Sequence, residues 1–133
     1  MQFTRKGDYA LRAMVFMADF KGATPLTIDE IAVKSKVPRY FLAKILKDLT
    51  RANLLVAIRG ARGGYRLARK ASEISMLDII EATVGPLALN LCVEDSDRCV
   101  HTPTCGFHPI WEDANHVLKG IFSRTKLSAV HSK

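Results

Sequence analysis

Long apolar runs are the first thing this 133-residue sequence lacks. None approaches the roughly 20 residues that cross a bilayer, and the start, MQFTRKGDYALRAM, has no apolar signal core. The expectation is a cytoplasmic chain with no membrane partner and with reduced thiols. Cysteine is scarce, with three residues in all, and an odd number argues against a disulfide framework. Acidic residues are scarce in the first 70 positions: 5 against 15 Lys and Arg, a net of +10. The remaining positions hold 8 acidic against 5 basic residues, a net of −3. Such asymmetry suggests that one part meets a polyanion and another does different work. Internal repeats and low-complexity tracts are absent. Apolar residues are not scarce; at 48% they are enough for a core, and the length suits one compact domain with an arm.

The few cysteines are concentrated. Cys92, Cys99 and Cys105 all fall in LCVEDSDRCVHTPTCGFHPIW, Leu91 to Trp111, with His108 three residues after the last. The residues between them are polar, charged or turn-forming, so the stretch reads as a loop rather than a strand or long helix. A free cysteine is often a small buried hydrophobe, but that fits an apolar run better than this one. Thiolates bind zinc and iron–sulfur centres strongly, and ligation is the leading reading. Zinc in a structural Cys3His site is the alternative, although its usual signature pairs cysteines two to four residues apart. Here the gaps are six and five residues, which suit a wide loop over a larger centre. A nucleophilic enzyme would need an activated thiolate held by a base. Cys99 near His101 is the one local pair of that kind, nothing around it suggests a substrate pocket, and no enzyme is expected.

The basic half has its own pattern. Thr4 to Phe20 reads as a helix with apolar positions at three- and four-residue spacing, and Asp8 in its first turn suits the helix dipole. Gly22 and Pro25 break it. Thr27 and Glu30 form a capping box for a short helix burying Ile28, Ile31 and Ala32. After Pro38 comes a helix in which Leu42, Ile45, Leu46 and Leu49 make one core-facing stripe, while Arg39, Tyr40, Lys44, Lys47 and Arg51 lie opposite. Two short helices with a tight joint, the second basic outside, describe a helix-turn-helix. Leu54–Arg59 and Tyr65–Ala68 read as strands joined by the glycine-rich Gly60–Gly64 turn, a basic hairpin that serves as a wing. A phosphate loop would need a helix and Lys-Ser or Lys-Thr after the glycines, and neither follows. Arg39, Tyr40 and Lys44 are expected at base edges, Lys47, Arg51 and Arg62 at phosphates, and Arg59 in the minor groove of double-stranded DNA. Ser75 caps a further helix from which Ile74, Leu77, Ile80 and Ile79 pack back, ending at Gly85-Pro86. A last helix from Pro109 carries Trp111, Ala114, Leu118, Ile121 and Phe122 as an apolar stripe. Following a closed domain, Trp111, Leu118, Ile121 and Phe122 are expected to pack on a twin helix, making a homodimer.

The fold expected is mostly α with a small β-hairpin wing: residues 1–84 a winged helix-turn-helix, 85–108 a cysteine-bearing loop, 109–133 a dimerisation helix and tail. With few apolar side chains between Val93 and Gly106, that loop is expected to be mobile or disordered when empty and to order when three thiolates close around iron.

Together, Thr4–Arg12 (TRKGDYALR), Tyr40-x-Leu42, the wing Arg59-Gly60-x-x-Gly63-Gly64-Tyr65-x-Leu67 and the three-cysteine loop resemble the Rrf2 family of bacterial transcriptional regulators, over essentially the whole chain. The resemblance implies a winged-helix homodimer with crossing C-terminal helices, and a labile iron–sulfur cluster near the interface whose state switches the operator binding of a repressor. Cys92, Cys99 and Cys105 match the family's thiolate ligands. His108 matches the imidazole position of its two-iron (2Fe-2S) members. Asp8 matches the carboxylate that four-iron (4Fe-4S) members take from the other subunit. The fourth ligand is one of these two.

Overall fold

A computed structural model of the chain describes residues 4–132. Met1–Phe3, part of the start read above, and Lys133, the end of the expected tail, lie outside the described residues. The order of elements is α1 (Arg5–Asp19), α2 (Ile28–Ser35), α3 (Arg39–Arg51), β1 (Leu55–Ile58), β2 (Gly64–Leu67), α4 (Met76–Thr83), α5 (Leu91–Glu94) and α6 (His108–Arg124), with short 3-10 turns between and after them.

Local chemistry sets the boundaries. Thr4 caps α1 by accepting from the Gly7 N–H at 3.2 Å. The Thr27–Glu30 box is closed in both directions and starts α2. The α2–α3 joint turns through Lys36, which adopts a left-handed conformation at φ 57°. The stripe on α3 is buried as its spacing predicts, with Leu42, Ile45, Leu46 and Leu49 all fully inaccessible. Each such side chain contributes about 1.5–3 kcal/mol by leaving water. They meet Ala13 and Met14 of α1, Ile31 of α2, and Ile74 and Ile79 beside and on α4. On α2, Ile31 alone of the expected three is fully buried; Ile28 and Ala32 are half-buried because they face the edge of this core. On α4, Ile79 and Ile80 are buried and Leu77 is half-buried.

The hairpin is a two-stranded antiparallel sheet with Leu55 opposite Leu67 and Ile58 opposite Gly64. Its base is tied to the segment before α2: Tyr65 N–H donates to the Leu26 carbonyl at 2.7 Å and accepts back through its own carbonyl at 2.9 Å. Gly64 permits this approach, since its φ is +152° and a Cβ there would run into the Leu26 backbone. The chain after α6 returns to the winged half. Leu127 enters the core at 3% exposure and donates its N–H to the Ile74 carbonyl at 2.8 Å. Beyond it, Asp19 accepts from the Ser132 N–H at 3.1 Å and pairs with His131 Nδ1 at 2.8 Å. Among the described residues no helix is long and apolar enough to cross a membrane.

Candidate nucleic-acid interface and cysteine site

Burying four apolar residues of α3 forces its other face outward. Tyr40 is 87% exposed, and Arg39, Lys44, Lys47 and Arg51 are exposed beside it. Arg39 Nε is held by Asp29 Oδ1 of α2 at 2.6 Å. Lys6 reaches Asp48 Oδ2 at 2.6 Å and ties α1 to α3 on this side. An open groove of about 580 Å³ lies between them, lined by Lys6, Arg39, Tyr40, Phe41, Ala43 and Lys44. Arg59 and Arg62 are exposed at the hairpin turn, with Arg66 and Arg69 further along. The basic residues named from the sequence on α3 and on the hairpin are thus all exposed.

One feature of this surface escapes sequence reading. Tyr40 meets Phe41 edge-on at 5.7 Å, Phe41 meets Tyr9 of α1 at 5.6 Å, and the Arg12 guanidinium lies 5.6 Å from the Tyr9 ring centre. Arg12 in turn pairs with Asp8 at 2.8 Å. A continuous line of contacts thus joins α3 to Asp8. The Tyr9–Phe41 step, from α1 to α3, is the one with no sequence signal; Asp8–Arg12 and Tyr9–Arg12 are four and three residues apart on one helix.

The cysteine segment is less irregular than expected. Asn90 accepts from the Leu91 N–H and starts the single turn α5, and 3-10 turns follow at Ser96–Arg98 and Thr102–Thr104. Cys92 lies on α5 and is buried; Cys99 and Cys105 end the two 3-10 turns and are half-exposed; all three are free thiols. Val93 is half-buried and Val100 is 86% exposed, so apolar burial contributes little here. His108 opens α6, one residue before the expected Pro109 start, and donates its N–H to the Cys105 carbonyl at 3.3 Å.

The donor set suits an iron–sulfur centre chemically. Two polar side-chain atoms are buried without a hydrogen-bond partner among the described residues, and both fall in this segment: Thr102 Oγ1 and His108 Nδ1. A buried polar atom without a partner is costly and calls for an ordered water, an ion or a ligand to satisfy it. Geometry is less complete: among the described residues no three His, Cys, Asp or Glu side chains stand together as ligands of one metal ion. Asp8 is exposed on α1 and engaged by Arg12. On α6 the expected stripe is not core within this chain: Trp111 is 40% and Ile121 45% exposed, Leu118 and Phe122 are half-buried, and Ala114 is exposed.

A three-helix head with a tight α2–α3 joint, a basic outward helix face and a hairpin beside it define a winged-helix DNA-binding regulator. The chain belongs to the Rrf2 family, described as iron-dependent transcriptional regulators, whose family model matches residues 3–133. Rv1287 of Mycobacterium tuberculosis, named among HTH-type transcriptional regulators, is 32% identical over 130 residues, 98% of this chain and 81% of that protein. Protein aau3 of Rhizobium meliloti is 38% identical over 109 residues, 81% of this chain and 70% of that protein. Among solved structures, CymR, titled the global cysteine regulator of B. subtilis, superposes with a TM-score of 0.76 at 27% identity, covering 96% of this chain and 93% of its own. IscR of T. potens superposes at 0.72 and 26% identity, covering 96% and 84%.

Proposed function

We propose that this regulator acts as a cytoplasmic homodimer, residues 1–84 binding an operator and 85–108 holding a labile iron–sulfur cluster whose state switches repression. The observation that carries the cluster reading is His108. Its Nε2 lies 3.2 Å from Glu112 Oε1, and in the neutral tautomer that donates from Nε2 to this carboxylate the Nδ1 lone pair is available to a metal. That Nδ1 is buried and has no partner, beside a segment with three free thiols. The contrast with Asp8, exposed and paired to Arg12, favours His108 as fourth ligand. When bound, a cluster supplies a redox- and nitric-oxide-sensitive centre, and gathering Cys92, Cys99 and Cys105 around it fixes turns that apolar packing leaves unsupported. The exposed Trp111–Ile121 face of α6, with Leu118 and Phe122 beside it, supports a symmetric partner there. The expectation of DNA contacts at Arg39, Tyr40, Lys44, Lys47, Arg51, Arg59 and Arg62 rests on their exposure and on the family's DNA-binding role.

The alternative is a winged-helix regulator with a Cys3His zinc site or no metal, and the separation of the candidate ligands among the described residues speaks for the metal-free form of it. Anaerobic purification with iron, sulfide and zinc analysis and a visible spectrum separates the two. Stoichiometric iron and sulfide with visible absorption, lost in Cys92→Ser and His108→Ala, is expected. Colourless protein holding zinc, or protein that takes up neither iron nor sulfide on reconstitution, contradicts the cluster.

A further inference from the structure

Helix α6 buries one side chain within its own chain, and that side chain is polar. Asn115 is 5% exposed, and its amide is used at both ends. Nδ2 donates to the Leu87 carbonyl at 3.1 Å, and Oδ1 accepts from the Leu89 N–H at 2.9 Å. The Leu87 N–H donates to Glu81 Oε2 of α4 at 3.1 Å. Asn90 then caps α5, which carries Cys92. Residues 87–90 are therefore a strap fixed from α4 on one side and from α6 on the other. An apolar residue in this place would leave the Leu87 carbonyl and the Leu89 N–H without partners. An amide does something an apolar residue does not: it makes one register far better than its neighbours, because any slip leaves buried groups at Leu87 and Leu89 unpaired.

The register matters for what lies two turns away. His108 and Asn115 are seven residues apart, which places them on one face of α6. The strap is pinned at Asn115, and α5 packs against the same helix with the Cys92 thiol buried. We infer that Asn115 is a positioning residue for the ligand set, holding strap 87–90 in the register that places Cys92 relative to His108. The inference rests on the iron–sulfur reading above for its purpose, and on the two hydrogen bonds for its mechanism.

Asn115→Leu removes both hydrogen bonds at nearly constant size, and Asn115→Asp keeps the acceptor for Leu89 but loses the donor to Leu87. In the metal-free protein, each thiol's reaction with iodoacetamide is followed by mass spectrometry. The same proteins are reconstituted anaerobically with iron and sulfide and their visible spectra recorded. Local opening should speed Cys92 in Asn115→Leu by about tenfold, with Cys99 and Cys105 within about twofold, and speed it less in Asn115→Asp. The reconstituted variant should show a changed spectrum and lose iron to a chelator faster than wild type. An unchanged Cys92 rate overturns the inference. So do three rates that rise together, since Asn115 would then be a general stability residue. Should the Leu variant not fold, the Asp variant carries the same comparison. Wild type that takes up no iron, with Cys92 still selectively released in the variant, overturns the cluster reading and leaves the strap's role in placing Cys92 standing.

Discussion

Arg39 shows how a single side chain can be legible in type and not in circumstance. Its place on the outer face of α3 follows from the Leu42–Leu49 stripe, but its 2.6 Å pairing with Asp29 follows from how α2 and α3 meet. Both side chains are well exposed, so the pair is worth at most about 1 kcal/mol. A phosphate or base edge competes for the same guanidinium. Asp29→Asn should therefore raise operator affinity by less than about tenfold at fixed salt, measured by fluorescence anisotropy. Lys47→Ala should weaken binding to all sequences alike and lower the salt slope by about one, while Lys44→Ala should relax specificity at about 1–3 kcal/mol per site. Asp19 gives a pH prediction. The hydrogen bonds from His131 and the Ser132 N–H hold its carboxyl below the ordinary carboxylate range. A carboxylate lowered on folding contributes stability that is complete above its ordinary value, near 3.8, and is lost as pH falls through the folded value. Asp19→Asn should then narrow the stability difference from wild type only on acidification below that range, in urea unfolding curves taken at successive pH values.

Between elements, the local patterns were readable and the long-range ones were not. Capping chemistry at Thr27 and Ser75, the α3 stripe and the hairpin all follow from neighbours a few residues apart. Asn115 clasping Leu87 and Leu89, Leu127 re-entering the core and the ring contacts from Tyr40 to Tyr9 join residues with no sequence periodicity between them. In the cysteine segment, sequence showed the donors but not that Cys92 is buried on α5 or that His108 Nδ1 is unpartnered, because both depend on the docking of α5 against α6. Two substitutions test the element contacts. Gly64→Ala puts a Cβ at φ +152° against the Leu26 backbone and should destabilise the protein by about 1–3 kcal/mol in denaturant unfolding. Leu118→Glu buries an unpaired charge in the interface assigned to α6, at a cost of about 3–5 kcal/mol. Sedimentation should then show monomer or aggregate, and a well-folded dimer would count against that assignment.

For the molecule as a whole, the winged half and the cysteine segment share elements rather than a flexible joint. Residues after α6 re-enter the winged core through Leu127, the strap is fixed to both α4 and α6, and α1 carries both Asp8 and the Tyr9 that touches Phe41 of the reading helix. On the proposed reading, of a dimer joined through α6, closing the thiolates around a cluster would bias the placement of α5 on α6 and with it that of the two winged halves. Half-sites lie about one helical turn apart on DNA, or a multiple of it, so a small change in that spacing changes affinity. The coupling is reciprocal, so a cluster state that favours DNA must itself be protected by DNA. The most direct measurement is operator affinity at one salt concentration for cluster-loaded protein, metal-free protein and Cys99→Ser. The loaded form is expected to differ from the other two by about fivefold or more, and Cys99→Ser to behave as metal-free protein. Equal affinities for all three would contradict the cluster switch and leave a winged-helix DNA binder whose thiols serve another purpose.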